Sequence, residues 1–364
     1  MPEQQLRVRR AEHFPGGERL HRLKPRPGAR NLHWITILLA TVGIILCLFA
    51  AISLIFWMVI VFKYLHYVTR IFQERPIFAI PRGTAPGDAE DLVVETVGGQ
   101  KLRACYLPRL SEGTRKGVVL FGIEFGSNRW SCQNHAEFLR KAGYDVLSWE
   151  PRGQGESDKV PGYLPLHWVS GHEVEDALAV VRYACGRPDA DPRGVALVGL
   201  SKGAGAGVVA ASRDRRIRCC VTDGMFAVYT TVVPYMRHWV KIYSRLTWLQ
   251  KVLPDIFYGT IGIIAFRRVA RERNCDFPPL EKAVASLRDQ PLLMIHGEKD
   301  TYIRPAMAET LFKKSQTRWG GERKFWLVEG ARHNEGLAKR PAEYTKLVCD
   351  FLDRSLGEPS VAPG

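Results

Sequence analysis

Residues 194–207 constrain the fold more than any other stretch, because they specify a strand, a sharp turn and a helix in succession. Residues 195–198 are all apolar and predict a buried strand, and Gly-Leu-Ser-Lys-Gly follows at 199–203. Glycine two residues before and two after a serine lets a strand and a helix approach closely at a strained turn. The serine, Ser201, is then presented above a helix N-terminus, where negative charge is favoured.

Strands and helices alternate on both sides of this turn. Strands are predicted at residues 92–97, 102–107, 118–121, 144–149, 217–222, 291–295 and 324–328, and helices at 130–142, 172–183, 306–314 and 344–356. The central strands read as continuous apolar runs, which is typical of parallel strands covered on both faces. The predicted fold class is α/β, with a mostly parallel sheet and helices on both faces.

The alternation stops between residues 225 and 290, after the sixth predicted strand. This insert is helical in pattern, aromatic and basic. A segment at this place can cover the turn that carries Ser201, so we expect it to form a helical lid. Its most apolar part, residues 252–266, is short and interrupted by Asp255, so a second membrane span is not expected.

A run of residues without charge, 35–62, precedes the sheet. About 20 apolar residues cross a bilayer as a helix, and no small-x-small cleavage site follows the run. We therefore expect one transmembrane helix at residues 34–62 rather than a signal peptide. The flanking segments are predicted to be a basic disordered tail at 1–33, a stalk or linker at 63–90 and, after a domain at 91–357, a short tail at 358–364.

Charge indicates the partner and the topology. The chain carries a net charge of +15, with eight Lys/Arg in the tail before the span and four in the twenty residues after it. The positive-inside rule then predicts a cytoplasmic N-terminus and a large domain outside the cytoplasm. The predicted partner is the lipid bilayer. Nucleic acid is not expected, because no basic and aromatic recognition module is present.

Cysteine usage gives no sign of a metal site. The eight cysteines include no C-x-x-C pair and no histidine-coupled zinc spacing. Most of them lie in apolar runs, which predicts buried free thiols and leaves a single disulfide open. No metal or cofactor is expected.

A serine hydroxyl becomes a nucleophile when a base removes its proton and an acid orients that base. Asp300 and His333 each follow a predicted strand, so they should reach the same sheet edge as Ser201. We predict Ser201 as nucleophile, His333 as base and Asp300 as acid. Asp223 and Glu298 are competing acids. His296 is expected to support a strand end instead of acting as the base.

The order Ser201, Asp300, His333 along the chain is that of the catalytic residues in the α/β-hydrolase superfamily, and residues 91–357 resemble this superfamily. The closest resemblance is to membrane-anchored, serine-aminopeptidase-like (S33-type) members. The segment Glu-Pro-Arg-Gly-Gln-Gly-Glu-Ser at 150–157 is similar to the family's D-x-R-G-x-G-x-S loop. Glu150 replaces the usual Asp, and the resemblance implies a structural role for it.

The resemblance also implies an oxyanion hole built from two backbone N–H groups. One donor should be Lys202, directly after the nucleophile. The other follows a His-Gly pair after the third strand, but this chain has Phe-Gly-Ile-Glu-Phe at 121–125 and no histidine. If residues 123–124 fill the His-Gly positions, Phe125 donates, and this alignment is preferred. If residues 121–122 fill them, Ile123 donates.

The sequence thus predicts a membrane-tethered serine hydrolase that cleaves an ester, a thioester or an amide. A lipid or another small acyl-containing substrate is favoured, because the insert is apolar and basic and accompanies a membrane anchor. An S33-type serine peptidase is the alternative enzyme. A catalytically silent hydrolase-fold scaffold at the membrane is the alternative from a different class.

Overall fold

The computed structural model describes residues 27–74, 82–243, 253–317 and 320–357. The chain divides into two compact units, residues 1–59 and residues 60–364. The predicted C-terminal tail at 358–364 and most of the predicted N-terminal tail lie outside the described residues.

The first unit contributes most of helix α1, Pro27–Gln73. Within His33–Gln73 of α1, an 18-residue window reaches a mean hydropathy of 3.0, and the helix is long and apolar enough to cross a membrane. A helix near the N-terminus with these properties also fits a signal sequence. The helix continues past the predicted end at residue 62, because residues 63–73 contain neither proline nor glycine to stop it. The first part of the predicted stalk is therefore helical.

The second unit contains an eight-stranded sheet in the order β1-β2-β4-β3-β5-β6-β7-β8. The strands are β1 Glu90–Glu95, β2 Lys101–Leu107, β3 Gly117–Gly122, β4 Tyr144–Trp149, β5 Val195–Leu200, β6 Ile217–Asp223, β7 Leu292–Gly297 and β8 Arg323–Val328. β2 is antiparallel to both neighbours, and the remaining pairs are parallel. The predicted mostly parallel sheet is confirmed.

Helices occupy the connections. They are α2 Gln133–Lys141, α3 Gly171–Gly186, α4 Ser201–Ala211, α5 Val228–Tyr243, α6 Asp255–Glu272, α7 Leu280–Ala285, α8 Pro305–Ser315, α9 Gly336–Lys339 and α10 Pro341–Leu356. The helix predicted at 130–142 begins as a separate 3-10 turn, Arg129–Cys132, before α2.

Side chains of β3 alternate between two hydrophobic clusters, as the period of two along a strand requires. Val118 and Leu120 pack with residues of α3 and α4, whereas Val119 and Phe121 pack with residues of α2 and α10. Both faces of the sheet are therefore covered by helices, as predicted.

The insert between β6 and β7 contains α5, α6 and α7, and residues 244–252 within it lie outside the described residues. A third hydrophobic cluster joins residues of α5 and α6 to Trp168 and to Phe72 in the last turn of α1. Phe72 is fully buried. The helical first part of the predicted stalk thus contributes to the core of the second unit.

The cysteines are free thiols, and Cys105, Cys132, Cys219 and Cys220 are buried. Burial raises the pKa of the Cys219 thiol to about 12 and that of Cys220 well above its usual value. The high pKa values leave Cys219 and Cys220 unreactive, and the burial of the four thiols agrees with the prediction of buried free cysteines.

Candidate active site

The turn between β5 and α4 has the strained geometry that its glycines predict. Ser201 adopts a φ of 48°, a left-handed value that is unfavourable for a residue with a side chain. A Cβ atom on Gly203 would lie 2.3 Å from the carbonyl oxygen of Ile123, and one on Gly199 would lie 2.7 Å from the Cα of Ala204. Glycine at both positions is what allows α4 to start directly beneath the end of β5.

Substitution of Gly203 by alanine is expected to lower the free energy of unfolding by about 2 kcal/mol or more, because the methyl group meets backbone atoms that cannot move alone. Gly259 in α6 provides the matched control, since a Cβ there makes an ordinary contact at 3.5 Å with Val233. Gly259→Ala should leave stability unchanged or raise it by up to about 1 kcal/mol. Denaturant unfolding of both variants measures the difference, and equal effects would contradict the close-approach argument.

Three side chains from three strand ends form one chain of hydrogen bonds. The Ser201 hydroxyl lies 2.9 Å from Nε2 of His333. Nδ1 of His333 lies 2.6 Å from Oδ2 of Asp300. Asp300 Oδ1 accepts the backbone N–H groups of Tyr302 and Ile303, both at 2.9 Å. The structure therefore brings together the three residues that sequence order places after β5, β7 and β8.

The protonation pattern follows from this geometry. The Asp300 carboxylate is buried and can only accept, so Nδ1 of His333 carries the hydrogen in their bond. Nε2 then presents its lone pair to the Ser201 hydroxyl. An imidazole in this tautomer can take the serine proton, and the adjacent carboxylate stabilises the imidazolium that forms.

The other acids and the other histidine considered in the sequence have different contacts. Glu298 accepts the N–H of Gly330 at 2.9 Å. His296 Nε2 lies 2.7 Å from the carbonyl oxygen of Ile303 and 3.4 Å from Asp300 Oδ2, and burial lowers its pKa. His296 thus supports the turn that carries Asp300, in the role expected for it.

Asp223, at the end of β6, is the competing acid in the most unusual environment. It is fully buried, neither of its carboxyl oxygens makes a well-formed hydrogen bond in the described part of the chain, and the nearby Tyr344 hydroxyl acts on it only as a weak donor. Burial raises its pKa to about 7, and the nearby charge of His333 opposes that rise. Asp223 lies close enough to His333 to feel its charge but makes no hydrogen bond to it.

The loop after β3 bears on the choice between the two oxyanion donors. β3 ends at Gly122, which pairs with Gly199 of β5. A Cβ on Gly122 would lie 2.7 Å from the carbonyl oxygen of Gly203. Residues 121–122 therefore stand at the strand end against α4, where the family's His-Gly pair is expected. This favours the N–H of Ile123 over the preferred alternative, Phe125, whose ring lines the cavity described below. The donor itself stays a prediction.

The side chain of Lys202 has a role that sequence reasoning missed. Its ammonium lies 2.6 Å from Oε1 of Glu173, donates to the carbonyl of Leu166 and lies 5.2 Å from the ring centroid of Phe125. The pair is buried, with both side chains at most 3% exposed. Lys202 thereby ties the segment before α3 to the nucleophile turn. No spacing in the sequence signals this long-range ion pair.

Glu150 has the structural role implied by the resemblance. Its Oε1 accepts the backbone N–H of Arg129 and lies 3.1 Å from the Arg129 guanidinium. Oε2 accepts the N–H of Glu156 at 2.7 Å. In the same loop, Gln154 Oε1 accepts the N–H of Gly126 at 2.8 Å, so the loop also fixes the segment after β3.

A cavity of about 280 Å³ reaches Ser201 and His333. Its walls are mostly aromatic, supplied by Phe72, Phe125, Trp168, Phe226, Tyr235, Trp239 and Tyr302. His167 also lines it, and burial, reinforced by the Lys202 charge, lowers the pKa of His167 to about 3. The imidazole is therefore neutral at physiological pH, and the cavity presents an apolar surface beside the serine.

The fold and these three side chains define a class: a hydrolase built on an eight-stranded α/β sheet, with a serine at a strand-to-helix turn. The model of the alpha/beta hydrolase family matches residues 125–347. The chain belongs to the alpha/beta hydrolase family.

Two curated relatives are distant in sequence but match most of the chain. The uncharacterized protein YfhR of Escherichia coli is 24% identical over 277 residues, 74% of this chain and 82% of YfhR. Serine hydrolase BPHL of Mus musculus is 24% identical over 261 residues, 68% of this chain and 82% of BPHL. Among solved structures, the Pyrococcus furiosus esterase Pf2001 superposes with a TM-score of 0.56 at 19% identity, covering 78% of this chain and 100% of the esterase. The structural likeness supports the fold.

Proposed function

We propose that this protein is a membrane-tethered serine hydrolase that cleaves a lipid or another acyl ester. The observation that carries the proposal is the hydrogen-bond chain from Ser201 through His333 to Asp300, which meets an aromatic cavity at its serine end. Similarity to a protein named as a serine hydrolase and to one named as an esterase supports the same reaction class.

In the proposed reaction, Oγ of Ser201 attacks the ester carbonyl while Nε2 of His333 takes the hydroxyl proton. Asp300 holds His333 in its tautomer and stabilises the imidazolium. The N–H of Lys202 and a second N–H, from Ile123 or Phe125, receive the oxyanion of the tetrahedral intermediate. Nε2 then protonates the leaving alcohol. Water, activated by the same base, releases the acid from the acyl-enzyme and restores the serine.

The cavity favours an apolar acyl group. Its aromatic rings offer dispersion contacts to an acyl chain, and Glu74 is the one carboxylate among the described lining residues. A volume of about 280 Å³ accommodates a modest acyl chain but not a whole phospholipid. The proposed substrates are therefore lipids or smaller esters from which one acyl chain enters the cavity.

Membrane attachment is part of the proposal. Residues 34–62 lie in a helix that is long and apolar enough to span a bilayer. The excess of basic residues before this segment supports a cytoplasmic N-terminus and a hydrolase domain on the other side. The resemblance to membrane-anchored S33-type members agrees with this arrangement.

A peptidase is the second candidate, and one observation favours it. Glu74 contributes a carboxylate to the cavity lining and could pair with the free amine of a peptide substrate. Its carboxylate lies 3.9 Å from the Arg70 guanidinium, however, and both side chains are well exposed, so the charge available to an amine is reduced.

Full-length protein in detergent should distinguish these functions when it is assayed with p-nitrophenyl esters of increasing chain length and with aminoacyl p-nitroanilides. We expect kcat/KM for the best ester to exceed that for the best anilide by at least about 100-fold, because the cavity binds acyl chains and holds no dedicated amine site. A preference for anilides that Glu74→Gln removes would favour the peptidase. No turnover together with no fluorophosphonate labelling would favour the silent scaffold.

A further inference from the structure

We infer that the last turn of α1 is the specificity-determining wall of the acyl cavity, with Phe72 limiting the length of the acyl chain that fits. This inference rests on the proposed esterase function and names a determinant of its substrate class. The helix that contains the candidate membrane span thereby contributes directly to substrate selection.

Phe72 is in position to limit the cavity. It lines the same cavity as Ser201 and His333 and is otherwise fully enclosed by protein. Its ring stacks on Phe266 of α6 with a centroid distance of 4.4 Å and meets Trp168 edge-on at 5.8 Å. A ring held on two sides cannot swing aside easily, so the volume it occupies is denied to the substrate.

The helix end is fixed by polar contacts as well. The last carbonyl groups of a helix have no partner within the helix. The indole N–H of Trp168 donates to the carbonyl oxygen of Phe72 at 3.0 Å. Trp168 also lines the cavity, so one hydrogen bond sets the position of two adjoining wall residues.

The next residue anchors the same turn to the end of α6. The Gln73 side-chain amide donates to Glu272 at 2.8 Å and accepts from the Arg273 guanidinium at 2.6 Å. The turn is therefore held by three directional contacts in addition to its packing. Such a turn is a preorganised wall rather than a loose covering.

The helix that carries Phe72 also contains the proposed membrane span. Phe72 follows Phe62, the last residue of the charge-free run, by ten positions in one unbroken helix. Residues 34–62, the proposed span, and the acyl wall are thus parts of a single element. A hydrolase domain produced without α1 would lack Ile71 and Phe72 and would present a wider, less selective cavity.

Size changes at Phe72 test the inference in opposite directions. In full-length detergent-solubilised protein, Phe72→Ala should shift the preferred p-nitrophenyl ester toward longer chains and raise the long-to-short ratio of kcat/KM by about 10-fold or more. Phe72→Trp should shift the preference toward shorter chains. Trp168→Phe, which removes the hydrogen bond to the Phe72 carbonyl, should change the profile in the direction of Phe72→Ala.

Tyr67→Ala provides the matched control, because Tyr67 lies on the same helix, is 55% exposed and does not line the cavity. The dependence of kcat/KM on ester chain length should be the same for Tyr67→Ala as for the wild type. If Phe72→Ala fails to fold, Phe72→Leu makes the smaller change in the same direction. If the Phe72 variants lower kcat/KM for short and long esters by the same factor, Phe72 has only a packing role. That result would overturn the inference while the esterase proposal stands. A wild-type protein that labels at Ser201 but hydrolyses no ester would overturn the esterase proposal itself.

Discussion

Ser201→Ala is expected to abolish covalent labelling by a fluorophosphonate probe and to lower kcat for ester hydrolysis by at least about 10³-fold. Oγ of Ser201 is 2.9 Å from the only imidazole nitrogen oriented toward it in the described part of the chain. Without that oxygen no acyl-enzyme forms, and only background catalysis by the oxyanion donors and substrate binding remains. Gel-based labelling of membranes and a p-nitrophenyl ester assay measure the two effects.

Ser212→Ala is the matched control. Ser212 follows the same helix at its other end, where its hydroxyl donates to the Val209 carbonyl at 2.7 Å. The control should retain labelling and activity. If the Ser201→Ala protein still reacts with the probe at another residue, the nucleophile has been assigned wrongly.

The second large effect is expected for Asp300→Asn, which should lower kcat by about 10³- to 10⁴-fold with little change in KM. The asparagine amide can keep the size of the side chain but cannot stabilise the imidazolium of His333. It can also favour the wrong histidine tautomer, because its NH₂ group donates where the carboxylate accepted. The measurement is steady-state hydrolysis of the best ester, together with thermal unfolding to confirm that the variant is folded.

Asp223→Asn tests the competing acid. Asp223 is buried but makes no hydrogen bond to His333, so this variant should keep activity within about threefold of the wild type, as expected for a residue that acts on His333 only through its charge. A loss as large as that of Asp300→Asn would transfer the role of the acid to Asp223.

Asp223→Asn should also change how the stability of the protein depends on pH. Burial raises the pKa of Asp223 from the usual 3.8 to about 7, so its neutral form is favoured in the folded state. The associated stability is present below pH 3.8 and is lost as the pH rises through about 7. The melting temperature of the wild type should therefore fall, relative to that of Asp223→Asn, as the pH is raised from about 4 to about 8.

Much of the second unit could be predicted from local patterns. Mostly apolar runs define β3, β4, β5 and β7 because these strands are buried along their whole length, and the boundaries of β4 agree at both ends. Ser201, Asp300 and His333 could be placed at one edge because parallel strands end together. The glycines around Ser201 identified the turn because only they permit its close approach.

The remaining features depend on contacts between distant parts of the chain. The end of β3 at Gly122 could not be predicted, because it is shown only by the packing of that glycine against α4. This strand end favours Ile123 over Phe125 as the second oxyanion donor. The partner of the Lys202 ammonium is Glu173, 29 positions away in the sequence, and no periodicity links the two.

Local periodicity and backbone sterics are enough to predict the class of fold, the order of its elements and the three side chains at the sheet edge. The surroundings of the serine depend on contacts that form only in the folded chain. Residues 63–73 look like a linker in the sequence, since nothing in them reveals a partner. In the folded chain Phe72 meets Phe266 and Trp168, and the burial of these three rings against one another turns the end of α1 into a wall of the cavity.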